Sequence, residues 1–297
     1  MMLELVPLER YLFLSIVLLS AVSSVLAFVQ IAKEDARFGP LLSVLASLQI
    51  AAGTALLICR AVDIRAFPMT GVFESMLILM VFIGMAFLFL SAFIRRIWVF
   101  SAMAWVLSAL TLLSAFVAEP ATVPQEAART PWAVAHAMSM SLSGAMIVFA
   151  GAMSILFLWS RRCLKKNQLA KLFGKMPTLE KLQALNLLGL RLGFVAMTFG
   201  LISGIGLAAA SFRQLGLTPA DWLADSKIIL VAVSWMLLLC ILLLRRWLAF
   251  SGRIVARATL VVCFLILFAF VGSEIFCKSG HGLINRPVEQ SSSGQGL

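Results

Sequence analysis

The chain has 297 residues, of which 62% are hydrophobic and only 12% are charged, and this is too little charge to cover a water-soluble domain of that size. Its mean hydropathy is +1.04, and its apolar residues form long blocks, which excludes a soluble globular protein. The net charge of +11 does not indicate nucleic-acid binding, because the basic residues lie in short clusters between apolar blocks without interleaved aromatic residues.

Eight apolar blocks follow one another, each close to the roughly 20 residues that cross a bilayer as a helix. They occupy residues 11–31, 40–59, 71–94, 97–117, 132–160, 185–210, 228–244 and 256–276. We therefore predict an all-α, polytopic transmembrane bundle of about eight helices. Strands are not expected, because an open sheet leaves backbone groups without hydrogen bonds in lipid.

Lysine and arginine are distributed unevenly between the two sets of alternate loops. One set holds 15 of them, and the other set, with both tails, holds 8. Since basic loops stay in the cytoplasm, we predict both termini on the outer, periplasmic side of a bacterial inner membrane. We also predict a four-helix membrane part over 1–120, a second four-helix part over 121–287 and a disordered, Ser- and Gly-rich tail over 288–297.

Charged residues that fall within the apolar blocks include Glu74, Arg191 and Glu274. Glu74 lies near the predicted outer start of the third block, and Arg191 lies within the sixth. Charges at such depths usually face the protein interior or a cavity, so both side chains are expected to be buried. Glu74 is either a structural ion-pair partner or a functional carboxylate, and the sequence leaves both interpretations open.

The chain contains only two histidines, His136 and His281. His136 lies one turn into the fifth block, near its predicted outer end, and His281 follows the outer end of the eighth. The predicted topology thus brings both imidazoles to the same face of the membrane, where two neutral imidazoles can hold a haem iron from both sides. The alternative is that each is an ordinary histidine near a membrane surface.

The outer loop before the seventh block carries Trp222, Asp225 and Lys227. Trp222 either provides a flat apolar surface for a porphyrin or anchors the loop at the membrane interface. Asp225 is suited to cap the N-terminus of the seventh helix. The sequence has no C-x-x-C-H, G-x-x-x-x-G-K-[ST], G-x-S-x-G or H-E-x-x-H, so covalent haem attachment to this chain and hydrolase chemistry have no support.

Several stretches of the chain agree with one known family. Trp222-Leu-Ala-Asp-Ser-Lys227 keeps the Trp, Asp and Lys of a W-x-W-D-P-K loop, and Pro131–His136 and Ser279–His281 are similar to the two histidine sites that flank it. Phe73-Glu-Ser75, which follows Pro68, is similar to a further motif, P-x-x-x-x-Y-E-S. On these residues, from about residue 60 to His281, the chain resembles the cytochrome c assembly proteins of the CcsA, ResC and CcmC type, which include HemX-like proteins.

The resemblance implies a haem-handling membrane protein of c-type cytochrome biogenesis, which presents or exports haem b at the outer face for attachment to apocytochrome c. It implies that His136 and His281 are axial ligands of the iron and that Trp222 and Asp225 belong to the cofactor-binding loop. The partners implied are membrane lipid, apocytochrome c and a ResB- or CcsB-like subunit.

Two other functions remain open. One is a HemX-like protein that affects tetrapyrrole synthesis without ligating haem. The other is a small-solute transporter, although the inverted repeats and broken helices typical of such transporters are not evident in the sequence. The sequence also leaves open whether the chain is an enzyme, since it can serve the ligation complex by supplying haem alone.

Overall fold

The computed structural model describes residues 6–35, 37–65, 68, 72–93, 97–117, 130–167, 176–215, 225–248 and 251–269. Within these ranges the chain forms eight α-helices and no strand, which confirms the predicted all-α bundle. The helices are α1 (Pro7–Lys33), α2 (Phe38–Ile64), α3 (Val72–Phe93), α4 (Ile97–Val117), α5 (Pro131–Lys165), α6 (Leu179–Leu215), α7 (Ser226–Leu248) and α8 (Gly252–Leu267).

Seven of the helices in the described part of the chain, α1 to α7, are long and apolar enough to cross a membrane. The protein is therefore a multi-pass membrane protein. The eighth, α8, has 16 residues within the described ranges. The apolar block that predicts it continues to residue 276, so the end of this block lies outside the described residues.

Local sequence signals set the helix ends. Helix α1 begins at Pro7 and α5 at Pro131, a position where a proline loses no helical hydrogen bond. The Thr130 hydroxyl oxygen accepts a 3.2 Å hydrogen bond from the Ala133 N–H, which caps α5. Helices α1 and α2 are followed by the cap residues Glu34 and Arg65, which are in the left-handed conformation with φ of 55° and 50°. These signals place His136 in the second turn of α5.

Helices that follow one another in the chain run in opposite directions, and so do α1 and α4. In the α1–α4 pair, Ser101 Oγ donates to Ala27 O at 3.1 Å and Ser108 Oγ donates to Ser20 O at 2.9 Å. Serine hydroxyls that reach a facing backbone are typical of helix contacts in membranes. The first residues of α1, α3, α5 and α7 thus lie at one end of the bundle, which we call the predicted outer end, because its orientation remains a prediction.

Helix α5 lies at the centre of the bundle. Of its most apolar stretch 78% is buried, against 22% for α7, so α5 belongs to the core whereas most of α7 faces outward. One buried apolar cluster joins α1–α4 to α5, and a second joins α5 to α6, α7 and α8. The division into two four-helix parts near residue 121 remains a prediction, and α5 contributes to both clusters.

Several of the observed helices are longer than the apolar blocks. Helix α5 continues to Lys165 and α6 begins at Leu179, several residues beyond the apolar sequence at each inner end.

The expectation that Arg191 is buried is wrong, because its side chain is exposed on α6. It shares the outward face of α6 with Leu188, Leu192 and Val195, and a long arginine near the end of an apolar block can extend its charge to the membrane surface.

Candidate functional site

His136 lies at the predicted outer end of α5, and its side chain is half-buried. Its Nδ1 is 2.7 Å from the backbone carbonyl oxygen of Gly200 on α6. A carbonyl oxygen only accepts hydrogen bonds, so Nδ1 must carry the proton in this contact. The neutral ring then bears its lone pair on Nε2, and a ring nitrogen with a lone pair is the one that binds a metal.

The His136 ring fits against α6 because Gly204 has no side chain. A Cβ atom at Gly204 would lie 2.8 Å from His136 Nδ1 and 2.9 Å from its Cε1, closer than real Cβ atoms approach other heavy atoms. The Nδ1–Cε1 edge of the imidazole therefore rests directly on the α6 backbone. Gly204 and the Gly200 carbonyl, one helical turn apart on α6, together form the surface that the ring contacts.

The same close approach continues down the α5–α6 pair. Cβ atoms at Gly193 and Gly189 would lie 2.9 Å from Ile147 Cγ1 and from the Met146 carbonyl oxygen, respectively. Ser143 Oγ donates to the Gly193 carbonyl at 2.8 Å. Small residues that let two helix backbones approach, together with side-chain bonds to a facing carbonyl, hold helices together in lipid. The two helices are thus tightly packed over the turns that lie further from His136.

Trp132 lies one turn before His136, at the start of α5. A Cβ atom at Gly206 would meet its ring atoms at 2.8–3.1 Å, and the side chain is 50% exposed. The indole therefore packs on α6 with one face and leaves the other accessible. Sequence reasoning missed both Trp132, which lies one helical turn before His136, and Gly200 and Gly204, which lie one turn apart on α6.

Asp225 caps α7, as its position in the sequence predicted. Its Oδ1 accepts a 2.8 Å hydrogen bond from the Lys227 N–H, and its carbonyl accepts one of 3.0 Å from the Ile229 N–H. Helix α7 is held on α6 by Trp235, whose indole N–H donates to Thr198 Oγ1 at 2.9 Å. The residue three positions after Trp222 is thus fixed to the bundle.

Two predicted site residues, Trp222 and His281, lie outside the described residues. The meeting of the two histidines across one cavity, and the position of the indole beside them, therefore remain predictions. Of the four predicted site residues, the structure places His136 near the start of α5 and Asp225 just before the start of α7. Both lie at the predicted outer end of the bundle.

Glu74 is buried in an ion-pair network. Arg60 Nε donates to Glu74 Oε1 at 2.7 Å, and Arg60 Nη1 lies 3.0 Å from Glu9 Oε2. This supports the interpretation of Glu74 as a structural partner. Arg60 directly follows the second apolar block in the sequence, yet it belongs to α2 and is buried.

The chain matches the family model of the cytochrome c assembly protein over residues 69–281, more than two thirds of its length. It belongs to the cytochrome c assembly protein family. Membership assigns it a role in c-type cytochrome biogenesis and, in general terms, in handling haem. The matched region includes His136, Trp222, Asp225 and His281, whereas α1 and α2 precede it. A comparison with curated protein sequences gives no match.

The residues around His136 suit haem as the group that this cytochrome c assembly protein handles. A porphyrin supplies four ligands to its iron, so the protein needs to add only one or two axial ligands. A histidine ligand with its second nitrogen hydrogen-bonded to a backbone carbonyl is a common arrangement in metal sites. The described residues contain no group of three or more His, Cys, Asp or Glu that would hold a bare metal ion.

Proposed function

We propose that this cytochrome c assembly protein presents haem b at the outer face of a bacterial inner membrane, with His136 as one axial ligand of the iron. The observation that carries the proposal is the 2.7 Å hydrogen bond from His136 Nδ1 to the Gly200 carbonyl. It selects the tautomer whose Nε2 has the lone pair, and it orients that nitrogen before haem arrives.

The location of His136 also supports this role. The ring is half-buried near the start of α5, so it is held by packing and is still near the surface of the protein. The neighbouring Trp132 is 50% exposed and adds an apolar, aromatic surface of the kind that borders flat ligands. A cargo that must leave again for the apocytochrome requires such an accessible ligand rather than a closed pocket.

The second axial ligand in the proposal is His281, and the loop that contacts the porphyrin is the one that contains Trp222. Support for this part comes from the family match, which spans both residues, and from Asp225. Because Asp225 caps α7, it anchors the end of the Trp222 loop at the same end of the bundle as His136.

Haem is the cargo in this proposal, and the partners are an apocytochrome c and a ResB- or CcsB-like subunit. Attachment joins cysteine thiols of the apocytochrome to the haem vinyl groups as thioethers. The groups of this chain hold the iron and orient the porphyrin, and that role requires no catalytic residue of its own.

The proposal is tested by titrating the purified protein with haem and recording its absorption spectrum. We expect a Soret band of a histidine-ligated haem, which is lost in His136→Gly and restored when imidazole is added to that variant. Met138→Ala is the matched control, because Met138 lies two residues away on α5 with a side chain that is 37% exposed. We expect this control to bind haem normally.

Two results would contradict the proposal. A wild-type protein that remains colourless after titration, in cells that still make c-type cytochromes without it, would favour the HemX-like alternative. A Soret band that is unchanged in His136→Gly would show that haem binds elsewhere. His281→Gly, measured in the same way, tests the second ligand separately.

A further inference from the structure

The carbonyl of Gly200 and the bare backbone at Gly204 do more than accommodate the ring of His136. We propose that they are positioning groups, which set the tautomer and the orientation of the imidazole so that Nε2 alone can bind iron. This inference rests on the proposed haem function, because it concerns the same histidine, but it makes a separate statement about the chain without haem.

The geometry restricts the ring from two directions. The Nδ1–H group points at the Gly200 carbonyl, at 2.7 Å, which opposes the tautomer with the proton on Nε2, since an unprotonated Nδ1 would face a carbonyl lone pair. The Gly204 backbone lies against the Nδ1–Cε1 edge, which prevents the ring from moving further towards α6. In an imidazole, Nδ1 and Nε2 are both bonded to Cε1, but the directions in which they bind outside the ring diverge widely, so the Nε2 lone pair points away from the carbonyl.

The acceptor is a neutral carbonyl rather than a carboxylate, and this has a chemical consequence. A carboxylate acceptor pulls the Nδ1 proton and makes the imidazole a stronger, more anionic ligand, whereas a peptide carbonyl leaves it neutral. His136 therefore binds iron as a neutral imidazole. A ligand of this strength suits a protein that must give up its haem.

The distance at Gly204 predicts what a methyl group there does. A Cβ atom 2.8 Å from Nδ1 forces either the ring or α6 to move, and a ring that shifts away loses its hydrogen bond to Gly200. Gly193→Ala is the matched control on the same face of α6. Its Cβ atom would lie 2.9 Å from Ile147 Cγ1, an atom of a side chain far along the helix from His136.

The first measurement uses the chain without haem. In a His281→Gln background His136 is the only histidine, so the ¹⁵N spectrum of histidine-labelled protein reports its ring alone. We expect a single tautomer protonated at Nδ1, and the same signal in Gly193→Ala. In Gly204→Ala we expect loss of the single tautomer, with both forms in exchange. A wild-type ring protonated mainly at Nε2 overturns the inference without any substitution.

The second measurement is haem affinity with both histidines present. Loss of a group that orients a ligand typically lowers affinity roughly 10- to 100-fold, so we expect that loss in Gly204→Ala and none in Gly193→Ala. If Gly204→Ala keeps both the tautomer and the affinity of a haem-binding wild type, the positioning role is wrong and the haem function stands. If the tautomer changes as expected but the wild type binds no haem, the haem function is wrong, whereas control of the ring by α6 stands.

Discussion

Arg60 and Glu74 form a buried ion pair that joins the end of α2 to the start of α3. The guanidinium Nη2 is 2.6 Å from Glu74 Oε1, and the two side chains are 5% and 0% exposed. The same guanidinium reaches Glu9 at the start of α1 and lies over the ring of Phe73, 5.6 Å from its centroid. One arginine thus fastens three helices at the predicted outer end.

Arg60→Ala is expected to destabilise the bundle strongly. It leaves two buried carboxylates without their cation, and removing one partner of a buried ion pair costs about 3–5 kcal/mol. The measurement is the thermal unfolding temperature of the purified protein in one detergent. Arg10→Ala is the control, because Arg10 is exposed on the same helix as Glu9. Equal unfolding temperatures for both variants would contradict a stabilising role for the network.

Glu9→Gln is expected to be much milder than Arg60→Ala. Within the described residues the network has two carboxylates for one guanidinium, so removing the charge of Glu9 leaves the Arg60–Glu74 pair intact. We expect a loss of about 1–2 kcal/mol, in the range of one hydrogen bond to a charged group. Unfolding measured beside Arg60→Ala checks this order, and a Glu9→Gln variant as unstable as Arg60→Ala would show that the charge balance is wrongly assigned.

The helices were predictable from the sequence because lipid requires long apolar stretches. The ends of α5 and α6 were not, because outside the bilayer a helix continues through polar residues such as Glu180 and Lys181. A hydropathy pattern therefore does not predict how far a helix extends beyond its apolar block. Arg191 was misplaced for a related reason, since a charge within an apolar block can lie on its outward face and reach the membrane surface.

The site was predictable only in part. The choice of His136 followed from the scarcity of histidine and from topology, and Asp225 was recognised as a helix cap. The contact with Gly200 was not predicted, because helical periodicity shows which face of α5 is apolar but not which residue of α6 faces it. The same limit hid the link between Glu9 and Arg60, which are 51 positions apart.

Asn186 joins three helices, and its loss should weaken the junction of α8 with the α5–α6 pair. Its Nδ2 donates to the Ala150 carbonyl at 3.0 Å and to Thr259 Oγ1 at 3.2 Å, and it also lies 2.5 Å from Ser154 Oγ. Hydrogen bonds between helices in membranes contribute about 0.6–2 kcal/mol, so Asn186→Ala should lose about that amount or slightly more.

Ser234→Ala is the matched control for Asn186→Ala. Ser234 is also fully buried, but its hydroxyl bonds within its own helix, to the Leu230 carbonyl at 2.7 Å. Unfolding in detergent should therefore show little change for Ser234→Ala. A loss of stability that is as large in Ser234→Ala as in Asn186→Ala would indicate that buried polarity, rather than the contact between helices, is responsible.

Gly189→Ala should be more disruptive than Gly193→Ala, although both glycines face α5. At Gly189 the new Cβ atom would lie 2.9 Å from the backbone oxygen of Met146, which cannot rotate away. At Gly193 it would lie 2.9 Å from Ile147 Cγ1, a side-chain atom that is restricted by β-branching but can shift more than a backbone oxygen. Overpacking costs about 1–3 kcal/mol, and we expect Gly189→Ala to fall in this range and Gly193→Ala below it. The thermal unfolding temperatures of the two variants measure this difference. A lower unfolding temperature for Gly193→Ala than for Gly189→Ala would contradict the prediction.

Asp225 offers a way to separate capping from charge at the predicted haem loop. Asn caps helices as well as Asp does, whereas Ala does not, and the loss of a cap costs about 1 kcal/mol. If Asp225 acts by fixing the end of the Trp222 loop to α7, Asp225→Asn keeps normal haem affinity and Asp225→Ala loses it. Haem titration of both variants, with unfolding temperatures as the stability control, measures this difference. An equal loss of haem affinity in Asp225→Asn and Asp225→Ala would instead indicate that the carboxylate charge itself contributes to haem binding.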